Sequence, residues 1–210
     1  LTFKPYFYST NELVLDAKGF DIHSVAMIST SVSSGALLQS SSDLKYVYDG
    51  MKLTIKLDKK YTRKDTFCIR IRYTAKPNEL KIEGSSAITD AKGLYFINPL
   101  GKDPKKMPQI WTQGETESSS CWFPTIDSPN EKTTQEIAIT VKDKFKTLSN
   151  GKMISSVKNE NGTRTDTWKQ DLKHAPYLFM MAVGEFAVIK DKWEEMVEKI
   201  TGQSMKHYKQ

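Results

Sequence analysis

The sequence predicts an all-β fold, a mostly antiparallel β-sandwich carrying one short C-terminal helix. Three observations predict it. Apolar residues recur with period two in at least six segments, which places them on one face of successive strands. The dipeptides Asn150-Gly151 and Asn161-Gly162 favour the positive φ of tight hairpin turns. Helical spacing appears with its own capping signal only after Asp191, where Trp193, Val197 and Ile200 recur before Gly202 and Glu194 stands three residues past the cap.

Taken in order, Leu1, Phe3 and Phe7 alternate with polar neighbours, so a strand is expected to be under way from the first residue. Leu13 and Leu15, then Ile22 and Val25, form two further strands around a turn at Lys18-Gly19. Ser29 to Asp43 is dense in serine, which competes for backbone hydrogen bonds, and reads as a hairpin tip or loop. Tyr46 to Leu57 returns to strand with Met51, Leu53, Ile55 and Leu57 on one face. Leu57-Asp58-Lys59-Lys60 is the expected break before Phe67, Ile69, Ile71 and Tyr73. Gly93 to Phe96 leads into Asn98-Pro99 and a Lys- and Pro-containing loop over 101–108. Three strands follow the centre of the chain: around Phe145, over Met153 to Val157, and over Thr163 to Trp168. Ala175 to Phe186 is an apolar run bounded by a proline and a glycine, and it reads as a buried strand.

The chain has 210 residues, 38% of them hydrophobic and 10% aromatic, enough for one domain with a packed core. No apolar run approaches the roughly 20 residues of a membrane-spanning helix. The net charge of +6 arises from 31 Lys and Arg against 25 Asp and Glu. Its local clusters, Lys59-Lys60 and Lys105-Lys106, are short, so the lysines read as solvated surface and not as a nucleic-acid footprint. Cys68 and Cys121 allow one disulfide at most and lack the spacing of a zinc site.

The densest chemistry lies between Pro108 and Val141. Trp111, Trp122 and Phe123 are apolar anchors, with Thr112, Gln113, Glu115 and Glu117 among them, a mixture suited to a lined pocket. Pro124 and Asp127-Ser128-Pro129 force turns before alternation resumes at Ile137, Ile139 and Val141. Gln113-Gly114-Glu115-Thr116-Glu117, then Trp122-Phe123-Pro124, then Asp127-Ser128-Pro129 with Lys132 and a strand, resembles the N-terminal domain of the aminopeptidase N-like zinc metallopeptidases. Leu15 to Val25 and Tyr177-Leu178 followed by Val183-Gly184 and Phe186 are similar to other strands of that domain. The chain departs from the family at Thr125, where cysteine is common, and at Ser118-Ser119-Ser120, which replaces a stretch usually ending in arginine.

The resemblance implies a saddle-like β domain over residues 1–190, lacking the family's first strand, and leaves 191–210 as a helical tail or appended junction. It implies a peptidase that removes N-terminal residues from peptides, with zinc in the parent enzyme held by a separate catalytic domain. Gln113 and Glu115 would then bind the substrate's amino terminus, while this chain carries no catalytic residue and no metal ligand. Neither His-Glu-x-x-His nor Gly-x-Met-Glu-Asn occurs, and His23, His174 and His207 read as isolated structural or exposed residues. The expected partners are a peptide substrate and the catalytic domain of the same protein. The alternative reading is a free-standing β-sandwich module binding protein or carbohydrate through exposed Trp111 and Trp122.

Overall fold

Leu13 and Leu15 face inward from one strand and Leu53, Ile55 and Leu57 from its neighbour, and together they floor the main apolar core. A computed structural model describes residues 1–33, 36–81 and 90–189. The first half of the chain supplies β1 (Thr2–Phe3), β2 (Thr10–Asp16), β3 (Phe20–Ser33), β4 (Ala36–Asp43), β5 (Tyr46–Tyr48), β6 (Lys52–Tyr61) and β7 (Phe67–Ala75). They form two antiparallel sheets, ordered β1-β7-β3-β4 and β2-β6-β5. Phe20, Val25, Met27, Phe67 and Ile69 close the core from the first sheet. Although β2 and β3 are consecutive, they lie in different sheets, and the chain crosses between them at Ala17–Gly19. Gly19 turns this corner at φ +70°, a conformation glycine adopts without steric cost.

Tyr48 ties the corner to the next hairpin. Its hydroxyl accepts the Phe20 amide at 2.7 Å and reaches the carbonyl oxygen of Ala17 at 2.7 Å and that of Gly50 at 3.0 Å. Tyr48→Phe leaves a part-buried amide and carbonyl without this partner, so a loss of about 1–2 kcal/mol is expected. Urea unfolding checks it through a lower midpoint at unchanged slope.

Three expectations for this half are corrected. Ser29 to Asp43 is mostly strand: Ser29 pairs with Ser40 and Ile28 with Ser41 in the β3–β4 ladder. Ladder hydrogen bonds along this solvent-facing edge override the serines' local competition. The break does not fall at Leu57–Lys60, because β6 continues to the buried Tyr61, which pairs with Thr10, while Lys59 and Lys60 remain in solvent. The turn is instead 62–66, where Asp65 Oδ2 accepts the Thr62 amide at 2.8 Å. The opening strand is only Thr2–Phe3; Pro5 has no amide to donate, and Tyr6 to Tyr8 leave the sheet exposed.

The second half supplies β8 (Leu94–Ile97), β9 (Gln109–Thr112), β10 (Thr133–Lys142), β11 (Lys146–Ser149), β12 (Lys152–Lys158), β13 (Thr163–His174) and β14 (Met181–Gly184). Its sheets are ordered β10-β13-β12 and β11-β14-β9-β8, again antiparallel. Ile139, Trp168 and Val183 are buried with Ile110, Ile137 and Met181 around them; Leu94, Trp122 and Phe179 form an adjoining cluster. The expected alternation in β10 is observed, with Ile137 opposite Trp168 and Ile139 opposite Asp166.

Asn161-Gly162 closes the β12–β13 hairpin as expected, with Gly162 at φ +75°. Asn150-Gly151 has the same chemistry but passes the chain from one sheet to the other, because β11 pairs with β14 and β12 with β13. Ala175 to Phe186 is strand only over Met181–Gly184; Pro176–Leu178 is a single 3-10 turn, since Pro176 lacks a ladder donor. The helix expected over 191–210 lies outside the described residues. Both cysteines are free, Cys121 buried and Cys68 partly so. Among the described residues no helix is long and apolar enough to cross a membrane.

Candidate functional site

The two halves meet where the β2–β3 corner touches the segment between β9 and β10. Asp16 and Thr125 exchange backbone hydrogen bonds at 2.7 and 3.0 Å, and the Lys18 amide donates to Ser120 O at 2.8 Å. Asp127 sits inside this joint. Its amide donates to Asp16 Oδ2 at 3.0 Å, and its own Oδ2 accepts the Ser120 amide at 2.8 Å. Burial raises the Asp127 carboxyl above the ordinary carboxylate range, with the Ser120 hydrogen bonds pulling against it. Lys52 forms an ion pair with Asp16 on the solvent side. Tyr73, from β7, donates its hydroxyl to Trp122 O at 3.0 Å, and desolvation pushes that phenol up to about 12.

This joint fixes one end of the loop that carries Gln113 and Glu115. The loop leaves the end of β9, an inner strand flanked by β8 and β14, and so projects from the end of a sheet and not from its edge. The Gln113 amide donates to Gly93 O at 2.9 Å, which lays the loop along the chain entering β8. Gly93 holds φ +70°, and a Cβ there would stand 1.9 Å from Ser118 O. Gly114 is packed as tightly, since a Cβ on it would stand 2.3 Å from Tyr177 O and 2.7 Å from Ser119 Oγ. Ser119 Oγ donates to Pro176 O at 2.7 Å, and the Ser118 amide closes the turn onto Gly114 O at 2.9 Å. The Glu115–Thr116 peptide is cis.

The structure separates the roles of the acidic and amide side chains. Half-buried Gln113 turns its Oε1 to accept the Glu115 amide at 3.2 Å, so it orients the backbone of its neighbour. Glu115 points its carboxylate to solvent, where it enters no ion pair or hydrogen bond among the described residues. Glu117 is also exposed, but its structural contact is through its carbonyl, which accepts Lys18 Nζ at 2.5 Å. Trp122 is buried at 8% exposure and packs edge-on to Phe123. Trp111 has one face covered by Tyr95, ring centroids 4.3 Å apart. The two indoles therefore form no shared platform, contrary to what a carbohydrate-binding groove built on them requires.

Sequence reasoning missed the residues that hold the loop: Gly93, Tyr177, Ser119 and Lys18. The only signal was a glycine immediately before an apolar strand and a proline before Tyr177. Ser118-Ser119-Ser120, where the family usually ends its stretch in arginine, is buried throughout and bonded to loop and joint carbonyls. Cys121 follows them, with burial pushing its thiol up to about 11, so it packs as a small apolar side chain and not as a nucleophile. Among the described residues no three His, Cys, Asp or Glu converge as metal ligands.

The family described as the peptidase M1 N-terminal domain matches residues 2–178. Among curated proteins, the chain is 26% identical over 195 residues to the probable M1 family aminopeptidase 2 of Encephalitozoon cuniculi, covering 89% of this chain and 22% of that protein. It is 31% identical over 113 residues to leucine aminopeptidase 2 of Vanderwaltozyma polyspora, covering 53% of this chain and 17% of that protein. Among solved structures, an M1 zinc metallopeptidase from Deinococcus radiodurans superposes with a TM-score of 0.67 at 18% identity, over 87% of this chain and 36% of that one. The chain thus spans about a fifth of those curated proteins and about a third of the solved one.

Proposed function

The chain belongs to the family of peptidase M1 N-terminal domains, and from that premise we propose that it is the β domain of a zinc-dependent aminopeptidase and presents Glu115 to the substrate's amino terminus. The observation that supports this reading is the pinned loop: an exposed carboxylate on a backbone segment held at the end of a sheet by buried contacts on both sides. An unpaired carboxylate on such a segment can receive an ammonium in a charge-assisted hydrogen bond, and a blocked amine loses that contact. Gln113 acts one step back, because its amide oxygen fixes the Glu115 backbone. Lys18 and Ser119 hold the loop's far side, so the backbone that carries Glu115 has little conformational freedom left to lose on binding.

Zinc in the parent enzyme would polarise the scissile carbonyl or activate water. In this reading the ion is held by the catalytic domain of the parent protein; among the described residues of this chain no three His, Cys, Asp or Glu converge as ligands. The partners are then the peptide and that domain, which closes over the loop from outside this chain.

The test uses a polypeptide in which the β domain is followed by its catalytic domain, assayed on aminoacyl-anilides. Glu115→Ala is expected to remove a contact worth about 1.5–3 kcal/mol, a fall in kcat/KM of roughly ten- to hundredfold. Glu115→Gln should lose less, since it keeps an acceptor. Glu117→Ala should be mild, because the Lys18 contact uses the carbonyl and survives the substitution. Thermal melting should barely move for any of the three, as these side chains are exposed. If Glu115→Ala and Glu117→Ala are both silent, the loop does not line the substrate site.

A further inference from the structure

Three consecutive aromatic side chains stand almost fully in solvent at one end of the first sandwich: Tyr6, Phe7 and Tyr8, with 80, 82 and 86% exposure. Apolar rings on a soluble surface are ordinary when scattered, and informative when contiguous. Their position follows from two ladders. Phe3, in β1, pairs with Phe67, and Thr10, at the start of β2, pairs with Tyr61. Residues 4–9 and the turn 62–66 therefore bridge the same two strand ends and lie side by side. Stacking of Phe3 on Phe67 and the tilted contact of Tyr61 with Phe67 anchor both loops to the core beneath them.

The neighbouring turn is basic. Arg63 and Lys64 are exposed on it, Lys59 and Lys60 lead into it, and Lys4 opens the aromatic loop. Lys59 reaches across the Tyr61 ring, 5.2 Å from its centroid. Two acids at this end offset part of that charge: Asp65, which accepts the Thr62 amide and hydroxyl at 2.8 and 2.7 Å, and Asp58, which accepts the Tyr61 hydroxyl at 2.8 Å. Among the described residues none of the five basic side chains enters an ion pair. The sequence keeps these charges apart, at positions 4, 59–60 and 63–64, and the β1–β7 and β2–β6 ladders bring those segments to the end of the sandwich that carries the rings.

We propose that this aromatic and basic end of the sandwich docks on an anionic lipid surface. Amphipathic rings settle at the headgroup level, and cations beside them are drawn by anionic lipids, so the two features supply the two signals that peripheral membrane binding needs. The shape agrees. The rings project from a turn, with Tyr6 and Phe7 edge to face at 76°, which suits insertion into a fluid interface. A nucleic-acid platform instead offers flat ring faces along a basic groove.

The test is co-sedimentation of the 210-residue chain with vesicles of phosphatidylcholine alone and of phosphatidylcholine containing about one-third phosphatidylserine. Binding is expected to the mixed vesicles only and to weaken with salt. The triple variant Tyr6→Ser, Phe7→Ser, Tyr8→Ser should partition roughly tenfold less, and Arg63→Glu with Lys64→Glu likewise, both with unchanged thermal melting. Equal sedimentation with both vesicle types overturns the proposal, as does a triple variant that binds mixed vesicles as well as the parent chain. Ring-dependent binding to a single-stranded oligonucleotide with none to vesicles would assign this end to nucleic acid instead.

Discussion

Asp166→Ala is expected to destabilise the chain by about 3–5 kcal/mol, because it leaves a largely buried guanidinium with only the half-exposed Asp143 as counter-charge. Asp166 lies in the middle of β13 with 1% exposure. Its carboxylate accepts Thr147 Oγ1 and Ser156 Oγ at 2.7 Å each, and Arg164 through Nε at 2.8 Å and Nη2 at 3.0 Å. Arg164 also donates to Asp143 Oδ1 and to the carbonyls of Asp143 and Phe145, while Thr147 accepts the Trp168 indole at 3.0 Å. One truncation therefore strands donors on β11, β12 and β13 together. The measurement is thermal melting, with a fall of about 6–20 °C at the usual 2–4 °C per kcal/mol for this size. Lys158→Ala is the control: its exposed pair with Asp143, at 3.0 Å, should be worth under about 1 kcal/mol.

The same carboxylate sets an acid limit. Burial pulls its pKa upward, but the Arg164, Ser156 and Thr147 hydrogen bonds outweigh this and hold it down at about 2. An unfolded aspartate titrates at about 3.9. Because the folded value is depressed, the stability Asp166 contributes is present above about pH 4 and is lost as pH falls toward about 2. Asp166→Ala should therefore be less acid-sensitive than the parent chain over that window. Equal slopes of stability against pH in the two proteins would show that the carboxylate is not held this way.

Gly93→Ala is expected to be nearly as damaging, at about 2–5 kcal/mol. Two penalties combine there. A left-handed φ of +70° disfavours any side chain, and the added Cβ would overlap Ser118 O at 1.9 Å and press on Cys121 Cβ at 3.1 Å. Gly162→Ala separates the two, since Gly162 shares the left-handed φ at +75° but meets nothing within 4 Å of the added Cβ. It should cost only the conformational part, about 1–2 kcal/mol. Urea midpoints of the two variants, with equal slopes, would measure the difference. Equal destabilisation would mean that the 113–118 loop yields around position 93, and the pinning inferred for Glu115 would fail with it.

The strands legible in the sequence are those whose alternation is buried on one face: Leu53, Ile55 and Leu57 in β6, Phe67 and Ile69 in β7, Ile139 in β10. Which strands pair was not legible. Asn150-Gly151 and Asn161-Gly162 carry the same turn chemistry, and only the placement of Gly151 against Lys169 O, where a Cβ would stand 1.9 Å away, distinguishes a passage between sheets from a hairpin. Exposed lengths such as Lys59-Lys60 and the serines of β4 follow their neighbours' ladders, so local composition misled there. In the candidate site, Gln113 and Glu115 were found through resemblance, since an exposed carboxylate has no periodic or steric signature. Their supports come from Gly93 and Tyr177, far apart in the chain, and nothing local announces such convergence.

Gly114 lies under Tyr177 O, and β9 is completed on one side by β14. During synthesis, the segment bearing Glu115 thus emerges well before Tyr177 and β14, which complete its clamp. At about 5–20 residues per second the ribosome takes several seconds to cover that interval. Through it, Ile110 and Trp111 have β8 for a partner and bare hydrogen-bonding groups on the other side. A nascent chain halted before Tyr177 would expose that edge to whatever strand or chaperone meets it first, and the site would be set only when Met181 to Gly184 arrives.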